Sequence, residues 1–78
     1  MKEQREQINR IDEEILKLYA ERMKISEEIG RIKAEKGLPV YDAAREDEIL
    51  KRARDAGAEE LYKVILAESK KMQSRLFK

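Results

Sequence analysis

Several cationic and uncharged polar side chains occupy positions in this sequence where a helix would normally bury apolar residues. Arg22 takes the place of an isoleucine in a regular apolar series, and Ser69 interrupts a second series near the end of the chain. An arginine so placed loses hydration, so it requires either a buried acid or an anionic ligand. A pocket lined by such groups suits a small dicarboxylate that also carries a hydroxyl. The candidate site residues are Arg5, Arg22, Lys33, Asp42, Arg45, Glu46, Ser69 and Gln73.

Each candidate also has an ordinary structural explanation. Arg22 could belong to a buried ion pair, Lys33 could stabilise the carboxyl end of a helix, and Asp42 could cap a helix start. The other candidates could be surface residues, or could bond to one another or to nearby backbone. These alternatives stay open for each residue alone. Because the set points toward one helical interior, we favour a binding pocket.

The first of the helices that must position these residues is long. Apolar residues recur every seven positions over residues 4–36, as in a helix that packs against other helices. The opposite face alternates charges of both signs, which is typical of a solvated surface. The predicted helix spans residues 2–36. Its end is indicated by the positive charge of Lys36 in the last turn, by Gly37 as a left-handed cap and by Pro39, which prevents continuation. The two apolar series contain Ile8, Ile15 and Ile29, and Ile11, Leu18, Ile25 and Ile32.

Two shorter helices follow an extended connector at residues 38–41. Asp42 has the side chain of an N-cap, and it predicts a second helix over 43–54 with Ile49, Leu50 and Ala53 inward. Gly57 is expected to cap that helix, and the third helix is predicted over 58–76. We therefore predict an all-α fold with three helices in a single domain, 1–78. The inward positions expected on the third helix are Ala58, Tyr62, Ile65, Ser69, Met72 and Leu76.

The length of the first helix predicts a homodimer. At about 1.5 Å per residue it is about 50 Å long, more than a compact 78-residue monomer can cover. Arg22 and Lys33 are about 16 Å apart along this helix, so two extended side chains could hold one small molecule between them. Arg5 lies about 25 Å from Arg22 in the other direction. If Arg5 serves such a site, it serves the one on another chain.

Composition argues against several other classes of protein. There is no cysteine and no histidine, which excludes disulfides and the usual zinc sites. The 18 basic residues nearly balance the 17 acidic ones, without the one-signed patch that nucleic-acid binding normally needs. No apolar run approaches the roughly 18 residues of a membrane span, and no signal-like segment opens the chain. We expect a soluble, cytoplasmic protein that binds neither nucleic acid nor membrane.

The order of the polar positions resembles that of a known enzyme family. R-E-x-I-x-x-I-D at residues 5–12, E-R at 21–22, I-x-x-x-K at 29–33, G-x-P-V-Y-D-x-x-R-E at 37–46 and E-S-x-x-x-Q at 68–73 are similar to the all-helical (AroQ-type) chorismate mutases. The resemblance implies three helices per chain, intertwined in a homodimer whose long first helices span both halves. It also implies rearrangement of chorismate to prephenate, in phenylalanine and tyrosine biosynthesis, without cofactor or metal.

The resemblance assigns roles residue by residue. Arg22 and Arg5 of the partner subunit would hold the substrate carboxylates, and Ser69 would assist at one of them. Lys33 and Gln73 would hydrogen-bond the ether oxygen. These donors suit the reaction, because a Claisen rearrangement needs no proton transfer and builds negative charge on the breaking ether oxygen.

The remaining assignments concern the ring hydroxyl of the substrate. The resemblance places Glu46 and the Asp42 region at that hydroxyl, with Arg45 behind them. One departure from the family is that only 22 residues separate Glu46 from Ser69, several fewer than expected. The second helix or the turn after it must be shortened, which affects the cover over the pocket more than its ligands.

Two other functions fit the same pattern. An isochorismate-pyruvate lyase would share the fold and much of the pocket, and product analysis would distinguish it. A non-catalytic helical dimerisation module would tolerate leucine or methionine at Arg22, Lys33 and Gln73 with neutral or better stability.

Overall fold

The computed structural model describes residues 1–75, which form three α-helices joined by short connections. Helix α1 spans Lys2–Lys36, α2 spans Ala43–Asp55 and α3 spans Glu59–Ser74. No strand occurs within these 75 residues, and the prediction of an all-α fold is confirmed. The second helix ends one residue later than expected and the third begins one residue later. Leu76, expected on the inner face of α3, lies outside the described residues.

Local side-chain and backbone signals set the helix ends. Gly37 adopts the left-handed conformation with φ 69°, and the Leu38 amide then donates to the Lys33 carbonyl at 2.8 Å. A residue with a Cβ atom would be strained at that φ. At the start of α2, an Asp42 carboxylate oxygen accepts from the Arg45 amide at 3.1 Å. The connector that carries Val40 is therefore fixed at both ends.

Helix α3 packs against both α1 and α2 and so holds the other two together. The buried apolar side chains are Met23 from α1, Ile49 and Ala53 from α2, and Leu66 from α3. Ile49 and Ala53 are inward as expected, whereas Leu66 was missed. The inner face of α3 is centred on Leu66, Ser69 and Gln73, and the other predicted inward residues are half-buried: Ala58, Tyr62, Ile65 and Met72.

The apolar seven-residue series of α1 stays largely exposed in this chain, and two of its members, Ile25 and Ile29, border the space between α1, α2 and α3. Within the chain, α1 buries Met23, Ser26 and Gly30 against its neighbours. The side chains of the two series remain between 40% and 61% exposed, which leaves a continuous apolar surface along the helix. The chain extends 52 × 23 × 13 Å, because the amino-terminal half of α1 projects beyond α2 and α3. The exposed residues of this surface are Ile8, Ile11, Ile15, Leu18, Ile25, Ile29 and Ile32.

The turn between α2 and α3 is tight. Gly57 has φ 75°, and Arg54 forms a salt bridge with Glu59 at 2.7 Å across the turn. The hydrogen bond from Arg54 lowers the pKa of Glu59, and the same bond raises the pKa of Arg54. Across residues 1–75, we find no helix that combines the length and apolar character needed to cross a membrane.

Candidate functional site

A cavity of about 350 Å³ lies where the carboxyl-terminal half of α1 meets the start of α2 and the inner face of α3. Its apolar walls are formed by Ile25, Ile29, Ile49 and Leu66. Such a volume is within the range of small-molecule sites. Of the eight candidate site residues, all but Arg5 line it. They are Arg22, Lys33, Asp42, Arg45, Glu46, Ser69 and Gln73.

One end of the cavity is defined by Arg22 and Ser69. The Arg22 guanidinium donates to the Ser69 hydroxyl, which also lies 3.1 Å from the Ser26 hydroxyl. Both serines are only 5% exposed, so this group is fixed by packing between α1 and α3. A guanidinium has five N–H donors, and the serine uses one of them. The remaining N–H groups of the guanidinium can bind an anion.

The other end is defined by Lys33 and Gln73. The Lys33 ammonium donates to the Gln73 side-chain oxygen at 2.9 Å and to the Val40 carbonyl at 2.7 Å. An ammonium has three N–H groups, so one remains for the cavity. Because a lysine can only donate, it fixes the Gln73 amide with its oxygen toward Lys33 and its NH2 group free to donate elsewhere. Two donors thus converge at this end of the cavity.

Within residues 1–75, neither Arg22 nor Lys33 is paired with an acidic side chain. Their partners in the cavity are neutral oxygens. The alternative of a buried ion pair at Arg22 is therefore not what the structure shows. The cavity lining carries four cations and two carboxylates, a net charge of +2 that suits a dianion. These are Arg22, Lys33, Arg45 and Lys70, with Asp42 and Glu46.

The acidic side of the cavity comes from the first turn of α2. Asp42 is the N-cap and contributes to the lining as well, so its structural role does not exclude a second one. Arg45 is exposed and lies 3.3 Å from Glu48 on the outer surface. Glu46 is less exposed and forms a salt bridge with Lys70 at 3.2 Å. Across residues 1–75, no group of three acidic side chains is placed to hold a metal ion.

Lys70 is the charged lining residue that the sequence pattern did not reveal. Two adjacent lysines after a serine have the pattern of a solvated surface, and Lys71 is indeed exposed. The spacing of residues on α3 could have indicated that Lys70 lies on the inner face. Leu66, Ser69, Lys70 and Gln73 follow the i, i+3, i+4, i+7 spacing of one helix face.

Arg5 lies far from this cavity. It is exposed near the start of α1, about 25 Å along the helix from Arg22. The structure therefore does not bring Arg5 together with the other candidates of its own chain.

A second cavity of about 300 Å³ lies on the other side of Arg22, toward the end of α2 and the start of α3. Arg45 and Arg52 contribute to it, together with Tyr62 and three alanines of the short α2–α3 region. Arg22 consequently borders both cavities within a single chain. This region contains part of the segment that the family resemblance led us to expect to be shortened.

Comparisons with known proteins agree with the resemblance. The family model described as chorismate mutase type II matches residues 4–74. The chain is 48% identical over 52 residues to a bifunctional chorismate mutase/prephenate dehydratase of Aquifex aeolicus, which covers 67% of this chain but only 14% of that protein. It is 30% identical over 80 residues to a chorismate mutase of Methanocaldococcus jannaschii, covering 91% of this chain and 81% of that one.

A solved structure is similar as well. A conserved hypothetical protein from Pyrococcus furiosus superposes with a TM-score of 0.83 at 40% sequence identity, covering 88% of both chains. The fold is thus shared over most of the length of both chains. This chain belongs to the chorismate mutase type II family.

Proposed function

We propose that this chain catalyses the rearrangement of chorismate to prephenate, as part of phenylalanine and tyrosine biosynthesis. The observation that carries the proposal is the pair of unneutralised cations, Arg22 and Lys33, facing one cavity of about 350 Å³. Family membership and the names of the Aquifex and Methanocaldococcus relatives support the same activity. Such a role would place the protein in the cytoplasm.

The substrate is a dicarboxylate, and Arg22 supplies the charge for one carboxylate. Its guanidinium is oriented by the Ser69 hydroxyl, so little conformational freedom is lost when a carboxylate binds. Holding the two reacting parts of the substrate together in a compact conformer lowers the barrier by reducing the entropy lost on reaching the transition state. The apolar walls formed by Ile25, Ile29 and Leu66 exclude water from the other faces of the ring.

Lys33 and Gln73 act on the ether oxygen. In a Claisen rearrangement the carbon–oxygen bond breaks as a carbon–carbon bond forms, and negative charge develops on the ether oxygen in the transition state. The remaining N–H of Lys33 and the Gln73 amide are held in place before the substrate binds, because each fixes the other at 2.9 Å. Preorganised donors of this kind stabilise developing charge more than ground-state charge.

The ring hydroxyl of the substrate is bound on the acidic side of the cavity. Glu46 offers a carboxylate that accepts the hydroxyl hydrogen, and Asp42 lies one helical turn earlier. Arg45 lines the same side while pairing with Glu48, so its effect on the substrate is indirect.

The complete site requires a homodimer. The exposed apolar surface of α1 is too large for a stable monomer, and a second copy of the same surface would cover it. In that arrangement the projecting half of α1 reaches the cavity of its neighbour, and Arg5 of the partner subunit binds the second carboxylate. The distance of about 25 Å between Arg5 and Arg22 within one chain supports a contribution from the partner.

Chorismate consumption with identification of the product tests this function. Prephenate is expected, whereas salicylate with pyruvate would identify a lyase and contradict the proposal. Lys33→Ala should reduce kcat/KM at least about a hundredfold, about 3 kcal/mol, by analogy with loss of one oxyanion donor. Lys36→Ala is the matched control, since Lys36 is an exposed lysine of the same helical turn.

Two outcomes would contradict these roles of Lys33 and Arg22. Equal activity of the Lys33→Ala and Lys36→Ala variants would remove Lys33 from the ether oxygen. A wild-type dimer that converts no chorismate, with Arg22→Leu and Lys33→Met variants of equal or higher stability, would identify a dimerisation module instead.

A further inference from the structure

Lys70 contacts Glu46 from the adjacent helix at the edge of the cavity. Its ammonium nitrogen lies 3.2 Å and 3.4 Å from the two oxygens of the Glu46 carboxylate, so it holds the group almost symmetrically. The Glu46 side chain is 19% exposed, against 31–85% for the acids of the other salt bridges among residues 1–75. This pair is therefore the one least weakened by solvent.

Lys70 also contacts the connector between α1 and α2. Its ammonium lies 5.2 Å from the centre of the Tyr41 ring, within the range of a cation–π interaction. Tyr41 directly follows Val40, whose carbonyl accepts from Lys33. One side chain of α3 thus fixes both the connector and the first turn of α2 beside the cavity.

The neighbouring Lys71 provides a contrast. It pairs at 3.2 Å with Glu68 of its own helix, and its side chain is 70% exposed. Such a pair restrains no other element and has little effect on stability. The difference between the two lysines comes from their positions on α3, since only Lys70 lies on the face that lines the cavity.

The positive charge of Lys70 offsets an electrostatic repulsion that the Glu46 carboxylate causes in the cavity. A carboxylate is a strong acceptor for a hydroxyl, but it repels a dianionic ligand in the same cavity. We propose that Lys70 is a positioning residue that holds the Glu46 carboxylate toward the ring hydroxyl of the substrate and offsets its negative charge. This inference rests on the proposed function and extends it to a residue outside the recognised motifs.

Lys70→Met, compared with Lys71→Met, tests the inference. Each substitution removes one positive charge from the same turn of α3 and keeps an unbranched side chain that is one heavy atom shorter. For Lys70→Met we expect KM for chorismate and Kd for prephenate to rise about tenfold, with kcat within about threefold of wild type. Lys71→Met should leave all three within about twofold. Lys70→Arg should restore most of the affinity, because it keeps the charge.

A double-mutant cycle shows whether Lys70 acts through Glu46. In a Glu46→Gln background, adding Lys70→Met should change the prephenate Kd by less than about twofold, because the group that Lys70 positions is already neutral. A loss of about tenfold that persists in this background would mean that Lys70 binds the ligand directly, and it would overturn the inference. Equal behaviour of Lys70→Met and Lys71→Met would overturn it too.

Equilibrium binding separates this inference from the proposed function. Binding of prephenate with the expected variant pattern but no turnover of chorismate would contradict the function and leave the role of Lys70 standing. Turnover of chorismate without the variant pattern would support the proposed function and contradict the role of Lys70. A wild-type protein that neither binds prephenate nor consumes chorismate would overturn both. Thermal melting verifies that each variant is folded, and Lys70→Gln replaces Lys70→Met if the latter does not fold.

Discussion

Replacing Gln73 by glutamate tests the donor geometry at the ether oxygen most directly. Gln73 is 8% exposed, and its side-chain oxygen accepts from Lys33 at 2.9 Å. A glutamate has nearly the same shape and still offers Lys33 an acceptor, so the cavity should be preserved. The atom that replaces the amide nitrogen, however, has no hydrogen while the carboxyl is ionised. The substitution therefore removes one donor and, while the carboxyl is ionised, adds a negative charge that opposes the charge developing on the ether oxygen.

The magnitude follows from the loss of that donor. Removing one preorganised donor to a developing oxyanion costs about 10²–10³ in kcat, about 3–4 kcal/mol, and the added negative charge makes this the minimum loss that we expect at neutral pH. Only a protonated carboxyl can donate to the ether oxygen. Activity of Gln73→Glu should therefore increase about tenfold for each unit by which pH falls, until most of the carboxyl is protonated.

The assay measures kcat as a function of pH, and the consumption of chorismate is followed by the decrease in its absorbance. Gln73→Met, which cannot donate at any pH, should show the loss without the recovery in acid. Ser74→Glu is the matched control, because it introduces the same charge at the next position of α3, which is exposed. A pH profile of Gln73→Glu parallel to those of wild type and the control would remove Gln73 from contact with the ether oxygen.

Three further predictions concern the dimer and the connector. Inactive Arg5→Ala and Lys33→Ala dimers, unfolded and refolded together in equal amounts, should recover about a quarter of wild-type activity, because half the dimers are mixed and each has one intact site. A mixture no more active than its parents, with exchange confirmed by mass spectrometry, would refute a site shared between subunits. The melting midpoint should fall on hundredfold dilution, since folding and association form one equilibrium, and a constant midpoint would contradict this. Asp42→Ala should destabilise the protein by about 1 kcal/mol in urea denaturation at fixed concentration through loss of the N-cap bond, whereas the exposed Asp47→Ala should not.

The end of α1 and the start of α2 could be predicted because their causes are local. The left-handed Gly37 and the N-cap Asp42 act within a few residues of their own positions, and both have the expected conformations. The motif order of a known family suggested the candidate residues, and seven of the eight line one cavity, whereas Arg5 lies outside it and Lys70 was not predicted. The roles of these residues toward a substrate stay predictions.

The hydrogen-bond partners of the polar side chains could not be predicted, because they depend on how the helices pack. Nothing local in the sequence pairs Arg22 with Ser69, which lies 47 positions away. The face of α1 that contacts its own chain was overlooked for a related reason. Its buried residues, such as Met23 and Ser26, are less apolar than the isoleucines of the exposed series, so the stronger pattern masked the weaker one.

The continuity of α1 between Arg22 and Lys33 limits how this chain can tolerate insertions and deletions. Eleven positions correspond to about three helical turns, so both side chains leave the helix on nearly the same side. One inserted residue would rotate Lys33 by about 100° around the axis and move it out of the cavity. A change of length in the α2–α3 region does not alter the relative orientation of Arg22 and Lys33. It also leaves Ser69 and Gln73 in register with each other, because both lie on α3 after that region. If the segment of residues 47–68 is shorter than in the rest of the family, as the resemblance implies, the difference is of this tolerated kind.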